Sequence, residues 1–249
     1  MSADFKKTFQ TVRTIRTIES WTVYIATALL LLEFLASQNQ PLSCLISSCQ
    51  IATCVFAVIS MILSLLSDHL LYQAEEEKRK DLLDNAFGSH LSEMNTSEYY
   101  TNDSIPKGIK KLAVNNFESA FFTKSILAAG LGWKVVVFIV VLLIFIIVSI
   151  TASREAVILV LQLTLPVNIT IEFVRFCSTY FRVNKLYQAY RILFDNNRDP
   201  RTADLLLNVM NYTAALSYGK TLLDEKKYKK MNASLSADWE RIRKSLNLE

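Results

Sequence analysis

The sequence predicts an all-α integral membrane protein with four transmembrane helices and a cytoplasmic helical layer. Of its 249 residues, 51% are hydrophobic and only 20% are charged, whereas a soluble domain usually carries about 25% charged residues. Five glycines and four prolines are too few for a loop-rich all-β fold. Four long apolar stretches complete the prediction. The net charge of +4 is mild and indicates no nucleic-acid surface, so direct DNA binding is not expected.

Each membrane-spanning helix requires roughly 20 predominantly apolar residues. Four stretches approach this length, at residues 17–37, 42–66, 135–150 and 156–173. The first half of the second stretch contains small residues, which allow close contact between helices. Because a second apolar block directly follows the first, we interpret the first as a span and not as a cleaved signal peptide.

The positions of Lys and Arg predict the orientation in the membrane. Basic residues are concentrated in the N-terminal arm, in the link between spans two and three, and in the tail, and the two other links are very short. We therefore expect a multi-pass protein of the bacterial inner membrane with both termini in the cytoplasm. The expected organisation is an arm with helices 1–2, a cytoplasmic central segment, helices 3–4 and cytoplasmic C-terminal helices, at residues 1–67, 68–133, 134–179 and 180–249.

The central segment is predicted to begin and end in helices with a polar loop between them. Its first helix continues span two and is expected to stop at Gly88, because glycine readily adopts the left-handed conformation that follows many helices. Residues 89–106 are polar and turn-rich, and helical character returns near Lys107. Phe117 and Phe121 lie on the apolar side of this second helix, which leads towards Trp133.

The tail is predicted to form amphipathic helices that pack on the central segment. One apolar stripe follows helical spacing through Val183, Leu186, Tyr187, Tyr190, Leu193 and Phe194. Asp199 is the expected N-cap of the next helix, with Pro200 at its first position and Gly219 at its end. Thr221 and Asp224 resemble a capping box for a last helix, whose apolar side includes Trp239.

Polar residues within the spans are candidates for a pore or gate, because burying them in lipid is costly. Glu33, near the outer end of span one, either reaches the interface or contributes to a ring of acids in an oligomer. In span four every second position is polar or proline: Gln162, Thr164, Pro166, Asn168, Thr170 and Glu172. As a helix, this span either packs within a bundle or lines a conducting path. The alternation also fits a strand, which alone would leave its backbone groups unpaired in hydrocarbon.

One cytoplasmic loop contains candidates for ligand or partner contact. Aromatic rings could stack on a nucleotide base and lysines could meet its phosphates, which singles out Tyr99, Tyr100, Asn102, Lys107, Lys110 and Lys111. The alternative is a solvated loop anchored by its tyrosines. The run 226–230, rich in lysine, is either a solvated face or a contact with anionic lipid headgroups.

No pattern in the chain predicts catalysis. His69 and His90 are the only histidines, and neither has a Cys, Asp or Glu at metal-ligand spacing. The sequence also contains no glycine-rich phosphate loop, nucleophile elbow or CxxC pair. The prediction is therefore a protein that is not an enzyme, with no catalytic residues, no metal and no cofactor.

Three runs in the central segment resemble one bacterial family. They are DLLDNAFG at 81–88, EYYTN at 98–102, and NFE at 116–118 followed by Phe122. This pattern resembles the SMODS-associated four-transmembrane pore-forming effectors of antiphage defence. The resemblance implies a protein that an upstream sensor protein or a cyclic-nucleotide signal triggers, and that then permeabilises the inner membrane of the infected cell. The family offers no catalytic residues to carry over.

The predicted function is therefore a membrane-disrupting effector whose partners are the lipid bilayer and further copies of itself. One alternative is an adaptor without a pore, which docks a cytoplasmic partner on the helical layer near Tyr187 or Trp239. Another is a membrane transporter. A transporter usually shows an internal repeat and interrupted spans, and the sequence has no convincing repeat.

Overall fold

The computed structural model describes residues 5–37, 43–92, 102–151, 164–195 and 200–248. These residues form six α-helices and no β-strand. In chain order the helices are α1 (Phe5–Ser37), α2 (Ser43–Phe87), α3 (Ile109–Thr151), α4 (Thr164–Asp195), α5 (Thr202–Gly219) and α6 (Glu225–Ser245). The predicted all-α class is confirmed, and the alternating segment of span four is helical from Thr164 onward.

The chain divides into two compact units. One comprises Met1–Lys7, Tyr72–Gly132 and Arg175–Glu249, and we call it the helical unit. The other comprises Thr8–Leu71 and Trp133–Val174, and we call it the apolar unit. The divisions fall inside α1, α2, α3 and α4, and α1 contributes only its first three residues, Phe5–Lys7, to the helical unit.

The apolar unit exposes much of its hydrophobic surface. Among the described residues, α2 and α3 each contain an 18-residue window apolar enough to cross a membrane. None of the α2 window and only 17% of the α3 window is buried, unlike the core helix of a soluble domain. Exposed side chains include Ile51, Leu65 and Ile150, at 67%, 65% and 79%. These two helices are compatible with a membrane protein.

Four spans are supported only in part. The described residues of α1 and α4 contain no window of this kind. The side chains of residues 34–37 and the whole of residues 156–163, which carry much of the apolar character of spans one and four, lie outside the described residues. The other two spans and the orientation therefore stay predictions.

The helical unit is built around Phe117 of α3. Its ring centroid lies 5.5 and 5.4 Å from those of Tyr187 and Tyr190 of α4, and 5.2 Å from that of Trp239 of α6. All four side chains are at least 96% buried. The predicted inward stripe of α4 is confirmed, since Val183 and Tyr190 are fully buried. The adaptor hypothesis placed docking near Tyr187 and Trp239, which belong to this core and are not available at the surface.

The ends of the helices confirm some predictions and correct others. α2 continues without a break to Phe87, and Gly88 follows it with a φ of 73°, in the left-handed region. α4 is one helix, so the described part of predicted span four, from Thr164, is continuous with the first tail helix. α5 ends at Gly219 as predicted, and Lys220 takes the left-handed position after it.

Two N-terminal caps differ from the predictions. The N-cap of α5 is Arg201, whose guanidinium pairs with Asp204 in the first turn, and Asp199 lies outside the described residues. The N-cap of α6 is Asp224, which accepts hydrogen bonds from the backbone N–H groups of Lys226 and Lys227. Thr221 donates instead to the carbonyl oxygen of Gly219. An aspartate is a favourable cap by itself, so no capping box is needed.

Candidate functional site

Polar side chains at matching positions join α1 and α2 within the apolar unit. Gln50 of α2 donates a hydrogen bond to Glu33 of α1, with 2.8 Å between Nε2 and Oε1. Towards the other end, Arg16 Nε donates to Ser67 Oγ at 3.2 Å. Arg16 and Glu33 are 17 residues apart, as are Gln50 and Ser67, so the two contacts define one antiparallel register. The contacts lie about 25 Å apart along the helices, at 1.5 Å per residue.

Polar and charged groups from all four helices of the apolar unit cluster around the contact between Arg16 and Ser67. We call it the charged layer, and its members are Arg16, Glu19, Ser64, Ser67, Asp68, Lys134 and Glu172. The Arg16 guanidinium lies 3.7 Å from the Asp68 carboxylate, and Lys134 Nζ lies 3.5 Å from Glu172. Glu19 is hydrogen-bonded to Ser64 and is near enough to Arg16, Asp68 and Glu172 for their charges to act on it. The charged layer thus links α1, α2, α3 and α4.

The structure describes the side chains of three of the predicted pore residues, which are Glu33, Thr170 and Glu172. Glu33 is half-buried and bonded to Gln50, and Glu172 belongs to the charged layer. Thr170 is exposed on α4. The backbone of α4 includes Thr164, Pro166 and Asn168, whose side chains lie outside the described part of the chain, as does the whole of Gln162. The described contacts therefore attach Glu33 to α2 and Glu172 to α3, and they join neither residue to the other.

Sequence reasoning overlooked Gln50, Arg16 and Asp68. A signal for Gln50 was present, because it is the only amide or charged residue between Ser43 and Leu66. Arg16 belongs to the basic N-terminal arm that predicts the orientation, and Asp68 is the first residue of the predicted central segment. Their pairing depends on the register of α1 against α2, which composition does not reveal.

The loop candidates do not form one open site. Tyr99 and Tyr100 lie outside the described residues. Asn102 is fully buried, and Lys111 is 5% exposed with Nζ 3.3 Å from Asp103. Of the four candidates that the structure describes, Lys107 and Lys110 are exposed, and the side chain of Lys107 lies directly against Gly88. In this structure Asn102 and Lys111 therefore serve packing and not surface contact.

Asn102 belongs instead to a buried network of asparagines in the helical unit. Its Nδ2 donates to Asn115 Oδ1 at 2.9 Å and to Glu118 Oε2 at 2.7 Å, and Asn115 Nδ2 donates to Asn85 Oδ1 at 2.8 Å. Beside it, Tyr190 donates to Asn116 Oδ1 at 2.9 Å. Burial raises the pKa of Tyr190, so its hydroxyl keeps the proton for this bond.

The three sequence runs that carry the family resemblance meet in this network. Asn85 comes from the first run, Asn102 from the second, and Glu118 from the third. The hydrogen bonds of Asn102 and Asn115 connect them across three separate parts of the chain. In this chain, residues of the three runs therefore hold together the end of α2, the start of α3 and the segment that precedes α3.

Asp84 fixes the turn that follows α2. Its carboxylate accepts hydrogen bonds from Ser89 Oγ, from the backbone N–H of Leu91, and from both the N–H and Oγ of Ser92, at 2.6–2.8 Å. Burial by itself raises the pKa of this carboxyl, but these donors outweigh burial and lower the pKa from 3.8 to about 2. The charged form of Asp84 is therefore the one that the fold requires.

Replacing Asp84 by asparagine should lower the free energy of unfolding by about 2 kcal/mol at neutral pH, because a pKa lowered in the fold contributes about 1.4 kcal/mol per unit. This contribution is complete above pH about 4, the unfolded pKa, and is lost as the pH falls towards 2. Denaturant unfolding of the detergent-solubilised protein between pH 3 and 7 measures the effect. Asp238→Asn, at an exposed carboxylate paired with Arg241, should cost less than about 0.5 kcal/mol. Equal losses for both variants would contradict the prediction.

Comparisons with models of known protein families, with curated proteins and with solved structures gave no significant match. The interpretation of the site therefore depends on its own geometry and chemistry.

Proposed function

We propose that this chain is a multi-pass helical membrane protein that permeabilises the bacterial inner membrane as an oligomeric effector. The pairing of Glu33 with Gln50 inside the apolar unit carries the proposal. An ionisable group in a membrane segment is costly and commonly marks an ion pathway. A protein that only anchored itself in lipid would have no need of it.

The dimensions of the apolar unit support placement in a bilayer. The contact between Glu33 and Gln50 and the contact between Arg16 and Ser67 are about 25 Å apart along the helices, and a hydrocarbon core is about 30 Å thick. Large apolar side chains are exposed between these contacts. In this placement the charged layer lies at one interface, and Glu33 with Gln50 lies near the other.

Permeabilisation requires more than one copy of the chain. A single hairpin offers one polar pair at the Glu33 level, and several copies around an axis would bring such pairs together as a ring of acids. Small residues in the first half of span two, which includes Gln50, favour close approach of helices. The four spans follow from the four apolar stretches of the sequence, the defence role and the upstream trigger follow from the family resemblance, and all three are part of this proposal.

The test is induced expression in bacteria, with membrane potential and dye entry as readouts. We expect the wild-type chain to depolarise the cells and Glu33→Leu to lose most of this activity. Glu33→Gln, which keeps a partner for Gln50 but removes the charge, separates packing from conduction. Leu32→Ala, at an exposed neighbour on α1, is the matched control and should stay active.

The result that overturns the proposal is an intact potential at full membrane expression of the wild type both without and with a supplied trigger, such as infection by phage. Equally strong depolarisation by the wild type and by Glu33→Leu would show that Glu33 does not contribute to the conducting path. Purified protein in vesicles loaded with a small dye, with release as readout, repeats the comparison without cellular partners.

A second candidate function is an adaptor, which a different surface favours. The outward side of α5 exposes Leu207, Met210 and Tyr218, at 57%, 66% and 77%, which lie along one face of the helix at helical spacing. A Met210→Lys change at the centre of this face should leave depolarisation intact if the chain is a pore. If the chain is an adaptor, Met210→Lys should abolish binding of the cytoplasmic partner, and Glu33→Leu should leave that binding unchanged.

A further inference from the structure

The first half of α6 presents a row of lysines. Lys226, Lys229 and Lys230 are exposed and lie within one side of the helix, while Trp239 points into the core from another side. Lys229 pairs with Glu225 at 2.8 Å. Within the described part of the chain, no carboxylate lies at ion-pair distance from Lys226 or Lys230. This surface therefore carries uncompensated positive charge.

The contacts of α6 place these lysines at one end of the helical unit. Lys227 Nζ lies 3.3 Å from where a Cβ on Gly130 of α3 would be, and the Tyr228 ring lies 6.4 Å from that of Phe122. Trp239 instead contacts Phe117, which precedes Gly130 by about 20 Å along α3 at 1.5 Å per residue. α6 therefore runs away from the end of α3 that leads into the apolar stretch, and its lysine-rich start lies at that end.

The segment before α6 contacts α4 at Thr179. Thr221 Oγ1 lies 3.2 Å from Thr179 Oγ1, and a Cβ on Gly219 would meet the Thr179 side chain directly. The part of α4 that belongs to the helical unit begins at Arg175, one turn before Thr179. Within the helical unit, residues 219–230 are thus packed against α3 near Gly130 and against α4 near Thr179.

We propose that Lys226, Lys227, Lys229 and Lys230 form a binding surface for the headgroups of anionic phospholipids. The proposal rests on the membrane placement given above. Gly130 precedes the apolar stretch at residue 135 by five residues, about 7 Å of helix, and a headgroup layer is about 5–7 Å deep. Flexible lysine side chains carry their charge into such a layer, where each contributes to attraction for an anionic surface.

The test measures binding of short-chain phosphatidylglycerol to the full-length protein in neutral detergent, by the lipid-dependent rise in melting temperature. For Lys226→Gln with Lys230→Gln we expect affinity to fall by about 25-fold, since each lysine near an anionic surface contributes a factor of about five. The matched control is Arg241→Gln with Lys244→Gln, which removes the same charge from exposed positions at the other end of α6. The control should change affinity by less than about twofold, which is the scatter expected of surface substitutions.

Phosphatidylcholine and inorganic phosphate are the comparison ligands, and neither should raise the melting temperature at the same concentrations. Equal effects of phosphatidylglycerol and inorganic phosphate would identify a general anion site and overturn the lipid proposal. Equal losses in the two double variants would also overturn it, because position on α6 would then be irrelevant. The assay requires no permeabilisation, so a failed pore and a failed lipid surface are distinguishable.

Discussion

Replacing Phe117 by alanine should destabilise the helical unit by about 3–5 kcal/mol, the usual cost of deleting a buried aromatic ring. Phe117 is fully buried, and its ring contacts those of Tyr187, Tyr190 and Trp239 at centroid distances of 5.2–5.5 Å. Aromatic pairs at such distances add to the energy of burial. Because the four rings come from α3, α4 and α6, removing the Phe117 ring weakens the contacts among all three helices.

The measurement is reversible unfolding in detergent, followed by near-ultraviolet circular dichroism, which reports on the packing of buried aromatic rings. Phe181→Ala is the matched control, because Phe181 belongs to the same unit and is 63% exposed. It should change the free energy of unfolding by less than about 1 kcal/mol. A loss below 1 kcal/mol for Phe117→Ala would show that Phe117 is not the centre of the core.

The helical core could be predicted from the sequence because helical spacing and hydrophobicity agree there. Val183, Tyr187 and Tyr190 lie on one side of any helix that contains them, and this side is buried in the structure. The stop at Gly88 was equally predictable, because few residues other than glycine adopt a φ of 73° without strain. These features depend on neighbours in the sequence.

Features that depend on distant partners could not be predicted. Asn115 and Asn116 interrupt the apolar side of α3, and nothing nearby in the sequence indicates that Asn85, Asn102 and Tyr190 are their hydrogen-bond partners. The pairing of Glu33 with Gln50 likewise needs the register of two helices. A short link predicts that spans one and two are antiparallel neighbours, but it does not tell which sides of the helices meet.

The continuity of α3 and of α4 across the two units was also beyond the sequence. A membrane helix and a soluble helix share one backbone geometry, so α4 passes from Thr164 to Asp195 with no local signal of a boundary. Composition located the apolar stretches and predicted that the helix of span two continues beyond its apolar stretch, and the structure adds that α3 and α4 also continue through both units.

Replacing Asn115 by leucine should cost about 3 kcal/mol of unfolding free energy. The change removes the acceptor for Asn102 and the donor to Asn85, and a buried polar group left without its partner costs about 1–3 kcal/mol. Asn115 and Asn102 are both fully buried, so water cannot replace the bond between them. Asn211→Leu is the matched control, because Asn211 is exposed on α5, and it should change stability by less than about 0.5 kcal/mol.

A double-mutant cycle with Asn85→Ala separates the hydrogen bond from the change in packing. Asn85 is half-buried, and its replacement alone should cost about 1 kcal/mol, the net value of one hydrogen bond. In the Asn115→Leu background that bond is already lost, so the second change should cost markedly less, with a coupling energy of at least about 0.5 kcal/mol. Strict additivity of the two losses would contradict a direct bond between Asn85 and Asn115. It would also remove the hydrogen bond by which Asn115 connects the first sequence run to the other two.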